Sequence, residues 1–279
     1  MPEVATTLTF GGMTVRRLGF GAMRLTGKGV WGPPADEAEA VAVLRRFVER
    51  GGDFIDTADS YGPETSEALI AKALHPYPDG LVIAGKGGFL RPGPAAWASD
   101  ARPAHLRRVC EASLRRLRLD CFPLYQLHTP DRRVPIEESV GALADLQREG
   151  KIRDVGVSNV TLDELDRARR AAAVVSVQNP YNLRDRGDDA ILARCAADGL
   201  AFIAFYPLAK GKLAASGTAL ARVAARHGAA PGQVALAWLL HRSPALLPIP
   251  GTSSRAHLDE NLTAATLRLS DDDMEELGA

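Results

Sequence analysis

The sequence predicts an α/β protein, a (β/α)8 TIM barrel with an N-terminal β-hairpin, occupying residues 1–279 as one domain. Three observations carry this expectation. Short β-rich runs alternate with amphipathic helical stretches, and strands joined by helical crossovers must run parallel. The alternation gives eight strand–helix units in about 250 residues, the size of a closed barrel rather than of two small domains. No low-complexity linker interrupts it.

The elements follow in order. Leu8, Thr9 and Phe10, then Gly11-Gly12, then Met13, Thr14 and Val15 read as a hairpin on a Gly-Gly turn. Residues 17–21 are strand-like and lead into a glycine-rich loop. Residues 35–50 place Val41, Leu44 and Val48 on one helical face, with Gly51-Gly52 as the stop. A strand over 53–57, a helix over 65–74 and a buried strand over 81–84 come next. Pro103 opens a helix that aligns Leu106, Cys110, Leu114 and Leu117, followed by a strand over 122–127. Ile136, Val140, Leu143 and Leu146 mark a helix that ends at Gly150. Strands over 154–157, 174–177, 200–205 and 246–249 alternate with helices over 162–172, 188–198, 220–227, 233–241 and 257–265. The acidic run Asp271, Asp272 and Asp273 reads as a charge cluster at a helix N-terminus.

Composition narrows the function classes. Apolar residues make up 46% of the chain, enough for a sizeable core, and 34 basic residues balance 34 acidic ones. Neutrality leaves no electrostatic footprint for nucleic acid or an anionic membrane. Three separated cysteines, Cys110, Cys121 and Cys195, form no CxxC pair and suggest packing residues in a reducing, cytoplasmic setting. No histidine spacing suits a metal, so none is expected. The start of the chain has no apolar run behind basic residues, so no secretory leader is expected. The longest apolar runs are too short to span a bilayer. Nothing indicates a partner subunit, and a monomer is the default.

Active sites of barrels gather just past the C-terminal ends of the strands, and this chain places unusual polar residues there repeatedly. Asp56 and Tyr61 follow strand two, Lys86 ends strand three, His128 ends strand four, Ser158 and Asn159 end strand five, and Gln178 ends strand six. A buried aspartate or lysine alone is costly, so Asp56 and Lys86 on adjacent strands are expected to neutralise each other. A nearby ammonium is expected to lower the phenol pKa of Tyr61 from about 10 and make it a better proton donor. His128 would orient a carbonyl and share the proton relay. Taken singly, each residue has a bland reading as cap, surface lysine, packing tyrosine or core histidine. Four of them at successive strand ends describe an acid catalyst beside a pocket for a polarised carbonyl. The run Gly19-x-Gly21 invites a dinucleotide fingerprint, but Arg24 occupies the third glycine position, which rejects a Rossmann domain. Met23, in the same loop, is taken as a wall of the substrate pocket, and Trp31 there is either a second wall or a loop-packing aromatic.

The segments DFIDTADSYG with Asp56 and Tyr61, then Lys86, then YQLH with His128, resemble the catalytic tetrad of the aldo-keto reductases, and the resemblance extends over essentially the whole chain. It implies reduction of an aldehyde or ketone to an alcohol by hydride from NADPH, with Tyr61 as general acid. GVSN and VQNPYN are similar to the family's carboxamide-binding motifs, which implies that Ser158, Asn159 and Gln178 hold the nicotinamide amide. Tyr206 matches the aromatic under the nicotinamide ring, with Gly21 backing it. The loop with Leu208, Lys210, Gly211 and Lys212 lies where the family wraps the pyrophosphate. The segment over 249–261 resembles the adenosine-phosphate segment, implying roles for Gly251, Thr252, Ser253, Arg255, His257, Glu260 and Asn261. Gly251 and His257 stand where vertebrate-type members carry lysine and arginine, and Arg255 is the nearby guanidinium expected at the 2′-phosphate. The run GFGAMRLTGKGVWGPP and the stretch over 233–261 look like a bacterial subgroup that includes pyridoxal reductases, which implies pyridoxal, reduced to pyridoxine, as the substrate. The alternative from another class is a redox-sensing, NADPH-binding regulatory subunit resembling potassium-channel β subunits.

Overall fold

The computed structural model describes residues 6–211 and 218–278, the Lys210 side chain apart. The chain opens with an antiparallel hairpin, β1 (Thr7–Phe10) and β2 (Met13–Arg16), turning at Gly11-Gly12 as expected. The first barrel strand, β3, covers only Phe20–Gly21, followed by a 3-10 turn and α1 (Glu37–Glu49). Then come β4 (Phe54–Asp56), α2 (Thr65–Leu74) and β5 (Val82–Gly87). A second hairpin, β6 (Phe89–Gly93) and β7 (Ala96–Ser99), precedes α3 (Pro103–Leu117). The alternation continues with β8 (Phe122–Leu127), α4 (Ile136–Arg148), β9 (Ile152–Ser158), α5 (Leu162–Ala171), β10 (Val174–Pro180), α6 (Asp189–Asp198) and β11 (Ala201–Phe205). It ends with α7 (Ala219–Arg226), α8 (Pro231–Arg242), β12 (Leu246–Pro248), α9 (Arg255–Thr263) and α10 (Asp271–Glu276).

Local chemistry explains these boundaries. Asp36 caps α1 by accepting from the Glu39 N–H, and Thr161 and Glu164 form a reciprocal capping box on α5. Proline opens α3 and α8, where its missing N–H costs nothing. The expected acidic cluster forms the first turn of α10, with Ser270 and Asp273 as its capping box. The β6–β7 hairpin was not expected: Pro92 and Gly93 at the end of β6, followed by Pro94, read as loop.

Eight strands pair in parallel in the order β12-β11-β10-β9-β8-β5-β4-β3. The first and last strands are joined by Gly19 N–H to the Pro248 carbonyl at 3.0 Å and Gly21 N–H to the Pro250 carbonyl at 3.4 Å. These bonds close the barrel. Inside it lies a small apolar core of Phe54, Val82, Leu124, Ile203, Leu247 and Ile249, plugged from below by Phe10, Met13 and Val15 of the hairpin. The plug is tied on where Asp53 accepts the Arg16 N–H at 3.0 and 3.1 Å. The larger core, with Phe47, Leu106, Leu143, Leu165 and Trp238, fills the layer between strands and helices. Cys110 and Cys195 are buried there, and burial pushes both thiols up to about 12, as befits packing residues. Among the described residues, no helix is long and apolar enough to cross a membrane.

Closure leaves no room for side chains at two glycines. A Cβ on Gly21 would lie 2.8 Å from the Ile249 carbonyl oxygen, and one on Gly251 would lie 2.4 Å from the Gly21 carbonyl oxygen. The obstacles are main chain and cannot swing aside. Gly251→Ala is therefore expected to lower the unfolding free energy by about 1–3 kcal/mol, in line with overpacking of a tight site. Urea unfolding checks this, and an unchanged midpoint would mean the two strand ends can separate freely.

Candidate active site

The parallel sheet delivers the expected residues to one mouth. Asp56 is the last residue of β4, Lys86 lies near the end of β5, His128 follows β8, Ser158 ends β9, and Gln178 lies in β10. The Lys86 Nζ donates to Asp56 Oδ2 at 2.5 Å and to the Thr57 carbonyl at 3.1 Å. Both side chains are withdrawn from solvent, at 0% and 2% exposure, which only a paired and hydrogen-bonded charge tolerates. The other Asp56 oxygen accepts Gln178 Nε2 at 2.7 Å and Gln126 Nε2 at 3.4 Å. One carboxylate thus ties together β4, β5, β8 and β10. Burial pulls the Lys86 pKa down, and Asp56 opposes that shift.

Tyr61 sits in the turn after β4, with its N–H on the Ala58 carbonyl at 3.1 Å. The Lys86 ammonium lies 5.0 Å from the centre of its ring. The expected fall in its pKa is not found. Burial first, and the Asp56 charge second, push the phenol well above its ordinary value. Burial outweighs the ammonium, which with Asp56 at 2.5 Å presents a paired charge and not a free cation. Tyr61 is therefore held protonated. His128 meets its ring edge-on at 5.6 Å between centroids, and the Ser60 hydroxyl lies 3.4 Å from Nδ1. Burial, and then Lys86, push the imidazole well below its usual range, so it is neutral. Behind the turn, Asp59 is half-buried with Oδ1 enclosed, and desolvation first and Glu67 second push its carboxyl up to about 8. Arg116 compensates Glu67 and also pairs with Glu64 at 2.7 Å.

The tetrad opens into a cleft of about 870 Å3. Gly21, Met23, Asp56, Tyr61, His128, Ser158, Asn159, Gln178 and Tyr206 line its deep end. Leu208, Gly211, Gly251, Thr252, Ser253, His257, Glu260 and Asn261 line the rest, so the expected binding residues converge over more than 200 positions of sequence. The Ser158 hydroxyl donates to the Gln178 carbonyl at 2.7 Å, and the Asn159 amide donates to the His128 carbonyl at 2.9 Å. Asn159 and Tyr206 both take a left-handed backbone, at φ 57° and 51°, a conformation that side-chain-bearing residues adopt where the site dictates it. Lys212 lies outside the described residues.

Two expected residues are not brought in. Arg255 pairs with Glu39 of α1, Nε to Oε2 at 3.0 Å, and faces a separate groove between α1 and α9. Trp31 is bridged to Gly62 and lies behind the Arg91 guanidinium, outside the cleft wall. In its place Phe89 and Trp97 of the second hairpin form the wall, their rings 4.7 and 6.3 Å from that of His128. Arg24 and Phe205 also line the cleft unexpectedly. The signal for the aromatic wall was an aromatic residue at each end of a Pro-Gly turn, directly after Lys86. Arg24 stood in plain view in the glycine-rich loop. Among the described residues, no group of three His, Cys, Asp or Glu side chains is arranged to hold a metal.

With this geometry in hand, comparison with known proteins is decisive. The family model of the aldo/keto reductase family matches residues 17–279. The chain is an aldo/keto reductase family member. Within the family it is 47% identical to an uncharacterised oxidoreductase of Schizosaccharomyces pombe over 266 residues, covering 95% of this chain and 87% of the relative. It is 44% identical over 274 residues to the pyridoxine 4-dehydrogenase of Escherichia coli, covering 96% of each chain. Among solved structures it resembles an aldo/keto reductase from Klebsiella pneumoniae in complex with NADP and acetate. That match has a TM-score of 0.84 and 31% identity, covering 98% of this chain and 94% of the other. This aldo/keto reductase is thus similar to its relatives over the full barrel.

The neutral, buried His128 gives this aldo/keto reductase a pH-dependent stability. Unfolded, the imidazole takes up a proton below about pH 6.5, whereas the folded site resists it, so stability falls as pH drops through that value. His128→Gln removes the effect. From about pH 7.5 to 5.5 the wild-type urea midpoint is expected to fall relative to that of the variant, and parallel curves would mean that His128 is charged in the fold.

Proposed function

We propose that this chain reduces an aldehyde or ketone to an alcohol with NADPH, and that pyridoxal, giving pyridoxine, is its substrate. One observation carries the reading: a buried phenol held protonated beside a neutral imidazole, backed by a paired ammonium, at the deep end of a cleft with the volume for a small carbonyl and a dinucleotide. The residues present suit that dinucleotide. Among the described residues nothing donates to Asn159 Oδ1 or Gln178 Oε1, the acceptors that a carboxamide N–H requires, while the donors of both side chains are already used. Tyr206 offers a ring face, and Thr252, Ser253, His257, Glu260 and Asn261 offer polar groups at the other end. Leu208 and Gly211 line the cleft beyond Tyr206, and the resemblance of the run with Lys210 and Lys212 supports a pyrophosphate role for it.

NADPH supplies the hydride when bound. Tyr61 gives its proton to the carbonyl oxygen as the carbonyl carbon is reduced, and His128 orients that oxygen. The phenolate left behind faces the Lys86 ammonium, 5.0 Å from its ring, which stabilises the charge as it forms. Asp56 holds the ammonium in place. Ser158, Asn159 and Gln178 fix the nicotinamide amide, and Gln178 couples that grip to Asp56 directly. The resemblance to a pyridoxine 4-dehydrogenase supports the vitamin substrate.

Tyr61→Phe tests the role of the proton. Turnover should fall by about 10²–10⁴ while the Kd for NADPH stays the same. A parallel loss of cofactor binding would remove Tyr61 from proton transfer. In the wild type, NADPH oxidation with pyridoxal supports the substrate, turnover of other carbonyls only discards it, and tight NADPH binding without turnover favours the regulatory reading.

Arg24 lines the cleft beside Gly251, whereas Arg255 is held by Glu39. Arg24 is therefore assigned to the phosphates shared by NADPH and NADH, and Arg255 is left outside. Arg24→Ala should raise the KM of both cofactors by about tenfold, the scale of a charge-assisted contact. Arg255→Ala should change either by less than about threefold, since it removes an exposed ion pair. A selective rise in the NADPH KM for Arg255→Ala would return that residue to the 2′-phosphate.

A further inference from the structure

The β6–β7 hairpin stands outside the barrel sheet. A two-stranded ribbon is marginally stable alone, so whatever holds it decides where its aromatic rings sit. Its base is fixed by the Asp100 N–H on the Gly88 carbonyl at 2.9 Å and by Arg133 on the Ser99 carbonyl at 2.8 Å. Its body is held by Arg91. The guanidinium donates to the carbonyls of Ala96 at 2.8 Å, Val30 at 2.7 Å, Ser60 at 2.8 Å and Gly29 at 2.9 Å. These carbonyls belong to three separate segments: the hairpin itself, the loop after the first strand, and the turn that carries Tyr61. The same guanidinium lies 3.8 Å from the centre of the Trp97 ring. The hairpin turn is docked on the same loop through the Ala95 N–H and the Gly29 carbonyl at 2.9 Å.

All four hydrogen bonds of Arg91 go to main-chain carbonyls. A planar fork with several directed donors can span three segments at once, and a lysine ammonium cannot. What it positions is the pocket wall: Phe89 and Trp97 pack edge to face at 5.2 Å, and Trp97 lies 6.5 Å from the Tyr61 ring. Trp97 is 37% exposed, so its own burial does not fix it.

Resting on the reading of this chain as a carbonyl reductase, we propose that Arg91 is a positioning residue. It clamps Trp97 and Phe89 beside Tyr61 and His128 and thereby selects flat aromatic carbonyls over small aliphatic ones. A fixed aromatic wall offers its face or edge to a planar ring, whereas a short alkyl chain gains little from it. Arg91 does not itself line the cleft; it acts through the hairpin and the Trp97 ring it lies against.

Two measurements test this. The first is kinetic, with benzaldehyde against propanal. In Arg91→Met the ratio of the two kcat/KM values should fall by about tenfold, chiefly through a higher KM for benzaldehyde, because a wall displaced by an ångström or so loses contact. Arg91→Lys keeps the charge without the fork and should behave like Arg91→Met. An unchanged ratio, or full recovery with lysine, overturns the proposal. The second needs no substrate: acrylamide quenching of tryptophan emission should increase in Arg91→Met, and the increase should vanish when Trp97→Phe is added. No increase overturns the clamp. A wild-type protein that reduces no carbonyl overturns the reductase reading and the selectivity together, and the quenching result then judges the clamp by itself.

Discussion

The structure depends on one buried contact, the pair of Lys86 and Asp56. A fully enclosed ammonium survives only with a carboxylate against it and its remaining donors satisfied, and here the second partner is the Thr57 carbonyl. The carboxylate in turn needs donors for its other oxygen, and Gln178 and Gln126 supply them from strands β10 and β8. Satisfying one ion pair therefore constrains four strands at the mouth of the barrel. It also fixes Gln178 and Gln126 against the same carboxylate beside Tyr61. Removing either charge would leave the other stranded in the interior, a cost of several kcal/mol.

The same pairing decides the electrostatics of the mouth. Burial first, and the Asp56 carboxylate second, keep the proton on Tyr61, and the ammonium beside it is already paired with that carboxylate. His128 is neutral because its burial, and after it the Lys86 charge, act in the same direction. The site thus rests with its proton stored on the phenol. The ammonium lies 5.0 Å from the centre of the Tyr61 ring, where it would stabilise a phenolate under the proposed proton transfer.

Below this layer the barrel supplies rigidity. The hairpin plug and the inner apolar core fill its lower end, and Gly21 and Gly251 let the first and last strands meet at the cleft floor. Those glycines matter first for closure, and any ligand at the mouth rests on a floor that closure has already shaped. The aromatic wall is built differently. It belongs to a hairpin outside the sheet and is fixed by a guanidinium gathering carbonyls from three segments.

The sequence by itself determined the barrel, its hairpin, and the strand ends that carry Asp56, Tyr61, Lys86, His128, Ser158 and Gln178. These follow from periodicity and from local runs in which a polar residue ends an apolar strand, and such signals are contiguous in the chain. Tertiary structure alone decided the rest. Arg255 could be placed near the cleft from its position in a motif, but its partner Glu39 lies on α1, far away in sequence, and draws it into another groove. Trp31 shares a loop with pocket residues, yet its ring lies against Arg91 and the cleft is lined by Trp97 instead. The direction of the Tyr61 shift turned on a 2.5 Å contact and on burial, neither of which spacing can state. Sequence specifies which groups reach a surface. Only the fold fixes the distances and the desolvation on which charge interactions depend.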